Sequence, residues 1–265
     1  MFIKIIIGDK YMKIGIIGVG NMGSALVKAL KNKGYNEIYG SNIIDLDKLK
    51  ALGINATTDN NEVIGNSDYI IICVKPQILT SVAKEMKIDN KLYISMAAGI
   101  TLSKLYEILG TKRVARVMPN IGLQYGDSVT AYVMGEECNE SDEKALIEIF
   151  NTAGVSIKST EEQMIGFTYA GCAPGLIARS IEPDVQTMID QHMTRDQIIK
   201  AQASSLRTVA RLLEQGKTHE EIYKMVASPK GITEAAYLKN LELGTYENIK
   251  KGGVAALLRN DELAK

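Results

Sequence analysis

The pattern of apolar and polar positions divides the chain into two parts with different predicted secondary structure. Up to about residue 157, short runs rich in β-branched residues alternate with amphipathic stretches of helical period, as a parallel sheet with crossover helices requires. Six runs are predicted as strands: 13–18, 37–41, 69–74, 92–98, 114–119 and 129–135. The helical pattern after the first strand stops at Gly34, since glycine commonly ends helices. This part predicts an α/β domain with a parallel-rich sheet.

The second part of the chain has the composition of helices. After Thr160 the β-branched clusters disappear, and long segments rich in Ala, Leu, Gln and Glu take their place. Three Thr-x-x-Gln/Glu capping boxes predict successive helix starts, at Thr160 with Gln163, Thr194 with Gln197, and Thr218 with Glu221. We therefore predict two domains, residues 1–160 and 161–265, the second of them all-α with about five helices.

Charge balance and cysteine content narrow the class of protein. The 265 residues carry 31 Lys and Arg against 31 Asp and Glu, a balance that predicts no nucleic-acid partner. Three widely spaced cysteines exclude a disulfide framework and predict reduced thiols in a cytoplasmic protein. The apolar opening is too short for a signal peptide and indicates a leader before a second possible start at Met12. No apolar run approaches the roughly 20 residues of a membrane span, so no membrane partner is predicted.

The stretch KIGIIGVGNMGSAL holds a G-x-G-x-x-G pattern between a predicted strand and a predicted helix. Gly18 ends the strand, Gly20 lets the backbone approach a pyrophosphate, and Gly23 lies in the first turn of the helix. Asn21 and Met22 complete that turn, whose positive N-terminus would face the phosphates. In this context the pattern predicts a Rossmann-type domain that binds a dinucleotide rather than an empty tight turn.

The end of the second predicted strand bears on the choice of cofactor. An enzyme that prefers NAD usually carries Asp or Glu there to hold the ribose hydroxyls. Here the strand ends in Ser41 and Asn42, and the nearest basic residue downstream is Lys48. The missing carboxylate removes a repulsion against a 2′-phosphate and favours NADPH. Because no arginine follows to clamp that phosphate, NADH stays possible.

Two further strand ends are expected at the same cleft, because ligands of open α/β sheets bind beyond the carboxyl ends of the strands. The third predicted strand ends in CVKPQ and the fourth in SMAAG. The residues expected to contact the cofactor there are Val74, Lys75, Pro76, Ala97, Ala98 and Gly99. Neither H-E-x-x-H nor G-x-S-x-G occurs and the chain has two histidines, so no metal site is predicted.

Five motifs occur in a fixed order along the chain: GIIGVGNMGSAL, VKPQ, SMAAGI, RVMPN and VASPKGIT. With this set, the chain resembles the pyrroline-5-carboxylate reductases from Met12 to about Leu263. The resemblance implies a Rossmann domain followed by a helical dimerisation domain. It also implies hydride transfer from NAD(P)H to the imine carbon of a five-membered ring, which gives L-proline. Since a cyclic iminium is already electrophilic, such an enzyme mainly aligns the cofactor and the ring.

The same resemblance assigns roles in the second domain. It makes the segment SPKGIT the substrate loop, opening the next helix. Ser228 and the backbone N–H groups near Gly231 and Ile232 would bind the substrate carboxylate, as anions bind at helix starts. Thr233 would be the catalytic residue whose hydroxyl faces the ring nitrogen. Met118 and Asn120 match the family MPN motif at the junction of cofactor and substrate.

Several residues depart from the family pattern. Lys230 stands where the family has glycine, and its charge would strengthen carboxylate binding, serve a substrate with a second acidic group, or point into solvent. Ile121 and Gly122 replace the usual Thr-Pro after MPN, and residues 169–176 differ from the family Ser-Gly-Ser-Gly-Pro-Ala-Tyr. The substrate is therefore the least constrained part of the prediction.

Other functions stay open at this point. A different cyclic imino acid is an alternative substrate, and a non-catalytic NADP-binding relative with a regulatory role would account for the altered loops. A β-hydroxyacid dehydrogenase would share G-x-G-x-M-G, but no segment resembles that family's glycine-rich helix with a catalytic lysine. The amphipathic C-terminal helices predict a homodimer or a larger homo-oligomer, because they carry more apolar surface than they can bury alone.

Overall fold

The computed structural model describes residues 12–44 and 46–263, without the side chains of residues 260, 261 and 263. The leader predicted for residues 1–11 lies outside the described residues. Within the described range the chain forms two compact units, one made of residues 12–172 and 259–263 and the other of residues 173–258. No helix in this range is both long and apolar enough to cross a bilayer.

The first unit is built on one sheet, whose eight strands in the described residues are ordered β3-β2-β1-β4-β5-β6-β7-β8. All neighbouring strands pair in parallel except β6 and β7, which are antiparallel. The strands are β1 (Ile14–Ile17), β2 (Ile38–Ser41), β3 (Asn55–Thr57), β4 (Tyr69–Ile72), β5 (Leu92–Ser95), β6 (Val114–Met118), β7 (Ser128–Met134) and β8 (Gly154–Lys158). The strand order reverses beside β1, as in dinucleotide-binding folds. The predicted Rossmann-type, parallel-rich sheet is therefore confirmed.

Helices cover both faces of this sheet and enclose two apolar cores. They are α1 (Asn21–Asn32), α2 (Leu46–Ala51), α3 (Asn60–Gly65), α4 (Pro76–Glu85), α5 (Leu102–Leu109) and α6 (Glu140–Asn151). Strands β1 and β4 have almost no polar positions because helices bury both of their faces, and Ile70, Ile71 and Ile72 are all fully buried. Helix α1 ends before Gly34, which adopts a φ of +90°.

Helices make up the rest of the described chain: α7 (Glu161–Ile181), α8 (Pro183–Ile189), α9 (Arg195–Glu214), α10 (His219–Val226), α11 (Ile232–Glu242) and α12 (Thr245–Leu263). The described residues thus have six helices after residue 160, one more than predicted. Pro183 separates α8 from α7, because proline starts a new helix there. Gly244 separates α12 from α11, because it takes a left-handed φ of +67°. Capping boxes form at all three predicted threonines.

The start of α7 packs on the sheet. Met164 is fully buried, and Glu161 pairs with Arg116 of β6. Consequently the first unit extends to Cys172, twelve residues beyond the composition change at Thr160. The domain boundary at residue 160 stays a prediction, and the helix that begins there is continuous across the end of the unit.

Candidate functional site

The turn between β1 and α1 is shaped by glycines. Gly18 has a φ of +83°, and a Cβ on it would lie 2.6 Å from the Cγ1 atom of Val74. A Cβ on Gly23 would lie 3.2 Å from the carbonyl oxygen of Gly18. Any side chain at Gly18 therefore collides with the end of β4, and the turn brings β1, α1 and β4 into close contact. The sequence-predicted residues Gly18, Gly23 and Val74 lie together here.

The N-terminus of α1 is open to an anion. Its N-cap residue, Gly20, makes no side-chain capping bond, and the first turn has no acidic residue. The backbone N–H groups of Asn21, Met22 and Gly23 have no hydrogen-bond partner in the part of the chain that the structure describes. Unpaired N–H groups and the helix dipole favour a phosphate at such a place. Together with the glycine turn, these residues fit the pyrophosphate of a dinucleotide.

At the end of β2, the hydroxyl of Ser41 binds another side chain of the protein, that of Asn60. Its side chain is buried, and its hydroxyl donates to the Oδ1 atom of Asn60 at 2.6 Å. Asn60 is half-buried, and its amide nitrogen has no hydrogen-bond partner among the described residues. Asn60 is thus a candidate ribose or phosphate contact that the sequence reasoning missed. No local signal identifies it, because it lies 19 residues from Ser41.

The loop after β2 is tied to the glycine turn. The amide nitrogen of Asn42 donates to the carbonyl oxygen of Val19 at 2.9 Å, and its Oδ1 atom accepts from the N–H of Ile44 at 3.2 Å. Both ends of the Asn42 side chain are therefore engaged in holding the loop. Lys48 lies on α2, beyond this loop.

The ends of β4 and β5 reach the same edge of the sheet as the end of β1. Lys75 is an exposed N-cap residue of α4, with Pro76 at the first helical position. Beyond β5, the N–H of Ala97 donates to the hydroxyl of Ser95 at 3.3 Å, Ala98 is half-buried, and Gly99 has a φ of +77°. The predicted cofactor residues of both strand ends therefore lie at one edge of the sheet.

The thiol of Cys73, the residue after β4, has low reactivity. Burial raises the pKa of its thiol to about 12. At neutral pH the thiol therefore stays protonated, and a thiol of this kind is a poor nucleophile. The cleft edge offers backbone groups and amides rather than a nucleophile.

The end of β6 is held by a network of neutral hydrogen bonds. The N–H of Asn120 donates to the hydroxyl of Ser128 at 3.2 Å, and its Oδ1 atom accepts from the N–H of Gly122 at 2.8 Å. Asn120 thus caps the 3₁₀ turn Ile121–Tyr125. The proline usual in the family at residue 122 has no N–H for this bond. The departure at Gly122 therefore fixes the orientation of the Asn120 side chain.

Arg116, two residues before Met118, is a buried cation that the sequence reasoning did not single out. Its Nη1 atom lies 3.0 Å from Oε2 of Glu161, and its side chain is only 5% exposed. Burial lowers the pKa of Arg116, and the Glu161 carboxylate partly offsets this, so the guanidinium stays charged. Glu161 belongs to α7, and on this helix a Cβ on Gly171 would lie 3.3 Å from the Cε atom of Met118. Helix α7 therefore lies directly against the end of β6.

The predicted substrate loop forms a tight turn in the second unit. The N–H of Gly231 donates to the carbonyl oxygen of Ser228 at 2.8 Å, and Lys230 between them has a φ of +59°. With Pro229 at its second position, the turn has the pattern of type II. A Cβ on Gly231 would lie 2.8 Å from the same carbonyl oxygen, so this residue must be glycine.

Helix α11 begins at this turn without a side-chain cap. The N–H groups of Ile232, Thr233 and Glu234 have no hydrogen-bond partner among the described residues. In α9 and α10, by contrast, one N–H group of the first turn is capped: Gln197 donates to the Thr194 side chain and Glu221 to the Thr218 side chain. The start of α11 therefore presents unpaired N–H donors directly after the turn that holds the exposed Ser228, as an anion site requires.

The comparisons with known proteins match both units. Residues 13–99 match the family model described as NADP oxidoreductase coenzyme F420-dependent, and residues 161–263 match the one described as pyrroline-5-carboxylate reductase dimerisation. The pyrroline-5-carboxylate reductase of Methanosarcina acetivorans is 34% identical, over 96% of this chain and 98% of that protein. That of Arabidopsis thaliana is 27% identical, over 96% of each.

Solved structures agree in fold. The pyrroline-5-carboxylate reductase of Coxiella burnetii matches with a TM-score of 0.82 and 28% identity, over 97% of this chain and 100% of that chain. The pyrroline carboxylate reductase of Plasmodium falciparum with NADP bound matches with a TM-score of 0.88 and 23% identity, over 97% of this chain and 100% of that chain. Sequence identity over nearly the whole length, both domain matches and the shared fold lead to one conclusion. The chain belongs to the pyrroline-5-carboxylate reductase family.

Proposed function

We propose that this protein reduces 1-pyrroline-5-carboxylate to L-proline with NADPH. The observation that carries the proposal is the uncapped start of α11, where unpaired N–H groups, that of Thr233 among them, follow the turn from Ser228 to Gly231. A substrate that carries a carboxylate next to a ring nitrogen has complementary groups for these donors. Family membership supplies the reaction, because the related enzymes are named for this substrate.

Little acid–base chemistry is needed for this reaction. NADPH, when bound, would supply a hydride to the imine carbon. In the iminium form of the substrate the ring nitrogen already carries its proton, so the C=N π electrons become the nitrogen lone pair and the product is a secondary amine without a further proton transfer. Ser228 and the N–H groups of Ile232 and Thr233 hold the substrate carboxylate. The N–H of Gly231, which the resemblance also assigns to the carboxylate, donates to the carbonyl oxygen of Ser228 within the turn. The Thr233 hydroxyl oxygen accepts a hydrogen bond from the ring N–H and so sets the orientation of the ring. Positioning of this kind accounts for much of the rate in such enzymes.

The residues around the glycine turn suit NADPH. The N–H groups of Asn21, Met22 and Gly23 bind the pyrophosphate, and Gly20 leaves room for it. No carboxylate stands at the end of β2 to repel a 2′-phosphate, and the amide nitrogen of Asn60, whose oxygen accepts from Ser41, is a donor near that strand end. The NADP-bound relative from Plasmodium falciparum supports this choice. NADH is the second candidate donor.

We further propose a cytoplasmic homodimer, formed through the dimerisation domain that residues 161–263 match. Within the second unit, large apolar side chains stay exposed on a single chain: Leu206, Val209 and Leu213 of α9, Leu238 and Leu241 of α11, and Val254 and Leu258 of α12. So many exposed apolar groups on three helices favour burial against a second copy.

A different cyclic imino acid is the second candidate substrate. The observation that favours it is Lys230, whose ammonium group stands at the substrate loop where the family has glycine. A second acidic group on the substrate would pair with this charge. A panel of six-membered and dicarboxylic cyclic imines, run beside 1-pyrroline-5-carboxylate, separates the two candidates by their kcat/KM values.

The test of the proposed role of Thr233 uses matched variants. We expect Thr233→Ala to lower kcat/KM for 1-pyrroline-5-carboxylate by about 10- to 100-fold, since it removes one positioning hydrogen bond. Thr233→Ser should retain most activity because it keeps the hydroxyl. Thr208→Ala serves as the control, because the Thr208 hydroxyl only donates to a carbonyl of its own helix. Equal activity of wild type and Thr233→Ala would refute the assigned role.

A further inference from the structure

Lys230 occupies a backbone conformation that side chains disfavour. Its φ of +59° is left-handed, and among the described non-glycine residues only His192 shares a positive φ. For L-residues other than Asn and Asp this region is costly, because Cβ crowds the following carbonyl oxygen. The third position of a type II turn favours glycine for this reason. The turn must therefore be held by contacts that a glycine would not need.

Glu234 supplies such a contact. The backbone N–H of Lys230 donates to Oε2 of Glu234 at 2.6 Å, a short distance typical of a bond to a charged acceptor. Glu234 lies in the first turn of α11, where the helix dipole favours a carboxylate. The N–H of the strained residue is thus fixed to the helix that the turn precedes.

The two hydrogen bonds of the turn act on different parts of it. The bond from Gly231 to Ser228 closes the turn internally. The bond from Lys230 to Glu234 sets the direction of the turn relative to the axis of α11, because its acceptor belongs to the helix. That direction determines where Ser228 lies with respect to the N–H groups of Ile232 and Thr233.

We infer that Glu234 is a positioning residue, which holds the substrate loop in its turn and compensates for the unfavourable left-handed conformation of Lys230. This role rests on the proposed function of the loop as the substrate-carboxylate site. Glu234 acts through the Lys230 backbone and does not itself touch the substrate. A glycine at residue 230 makes the contact dispensable.

The test compares Glu234→Ala, Glu234→Gln, Lys230→Gly and the double variant Lys230→Gly/Glu234→Ala. We expect Glu234→Ala to raise KM for 1-pyrroline-5-carboxylate about 10-fold, as the loss of one charge-assisted hydrogen bond implies, with kcat and KM for NADPH nearly unchanged. Glu234→Gln keeps an acceptor oxygen and should stay within about 3-fold of wild type. The double variant should match Lys230→Gly. Glu242→Ala, on the exposed face of the same helix, is the control.

Several outcomes overturn the inference. A KM for Glu234→Ala equal to or below that of wild type would mean that the carboxylate does not position the loop or that it repels the substrate. A double variant with a higher KM than Lys230→Gly would show that Glu234 acts on something other than the strained residue. If wild type does not turn over the substrate, the proposed function fails, and a structural measurement then tests whether Glu234 holds the Lys230 amide. Hydrogen exchange of the Lys230 amide should then be about 10-fold faster in Glu234→Ala, and an unchanged rate refutes the contact.

Discussion

At the scale of single residues, backbone space decides more of the candidate site than side-chain chemistry does. Gly18 and Gly231 stand where a Cβ would collide with Val74 and Ser228, and Gly18 also needs a left-handed backbone. Gly18 was predicted from its place in the G-x-G-x-x-G pattern after a strand, whereas Gly231 was assigned by the resemblance of SPKGIT to the substrate loop of the family. Ser41 shows the opposite case, since its bond to Asn60 joins residues far apart in sequence.

The glycine turn yields the first prediction. Gly18→Ala places a methyl group 2.6 Å from Val74 Cγ1 in a left-handed backbone, and the turn must shift to accept it. We expect NADPH binding to weaken at least about 10-fold, measured by fluorescence titration of the reduced cofactor. Gly65→Ala is the control, because nothing lies within 4 Å of a Cβ on that helical glycine. Unchanged NADPH affinity in Gly18→Ala would contradict the assignment of the cleft.

At the scale of elements, long β-branched runs and capping boxes were sufficient to predict strands and helix starts, whereas short strands without such runs were not predicted. Six strands were predicted from their β-branched runs, and the three threonine capping boxes all form. Strands β3 and β8 were missed because they are exposed edge strands, and β3 has only three residues. Pairing with a neighbouring strand, which local sequence does not encode, makes them strands.

The edge strand β8 is fixed to α6 by charge, which gives the second prediction. Lys158 Nζ lies 2.9 Å from Oε1 of Glu143, and the Tyr132 hydroxyl donates to the same oxygen at 2.9 Å. The bond to Lys158 is the main cause of a pKa of Glu143 below its ordinary value of 4.5. A lowered carboxyl pKa stabilises the folded state above the unfolded-state pKa, and the contribution is lost as pH falls through the folded-state value.

We therefore expect Glu143→Gln to lower the free energy of unfolding by about 1 kcal/mol at pH 7. The difference from wild type should shrink as the pH falls below 4.5, the ordinary pKa of the side chain. Urea denaturation of both proteins at pH 7 and at pH 3.5 measures it. Glu140→Gln is the control, since that exposed carboxylate lies 3.8 Å from Lys144. A difference that grows toward acid pH would refute the assigned cause.

At the scale of the whole molecule, the described chain divides into two compact units, and the first of them continues past the change of composition at Thr160 to Cys172. The Arg116–Glu161 pair was not predictable, because it joins the middle of β6 to a helix 45 residues further along the chain. The substrate loop was assigned by its motif, whereas the strain at Lys230 and its contact with Glu234 became visible only in three dimensions.

The C-terminal helices give the third prediction, at this scale. Val254 and Leu258 lie one turn apart on α12 with 52% and 61% of their surface exposed in a single chain. We expect Val254→Asp to shift the protein from dimer to monomer, because a buried unpaired charge opposes association. Sedimentation velocity measures the change, with Lys250→Ala on the same helix as the control. A Val254→Asp protein that stays dimeric would contradict the proposed contact face.

The measurement that tests the proposed reaction most directly is isotope transfer. Wild-type protein is incubated with 1-pyrroline-5-carboxylate and NADPH that carries deuterium at the transferable position, and the product is analysed by chiral chromatography and mass spectrometry. We predict L-proline with one deuterium on the ring carbon that was the imine carbon, formed in step with NADPH oxidation. Absence of labelled L-proline, with the cofactor bound but not oxidised, would contradict the proposed function.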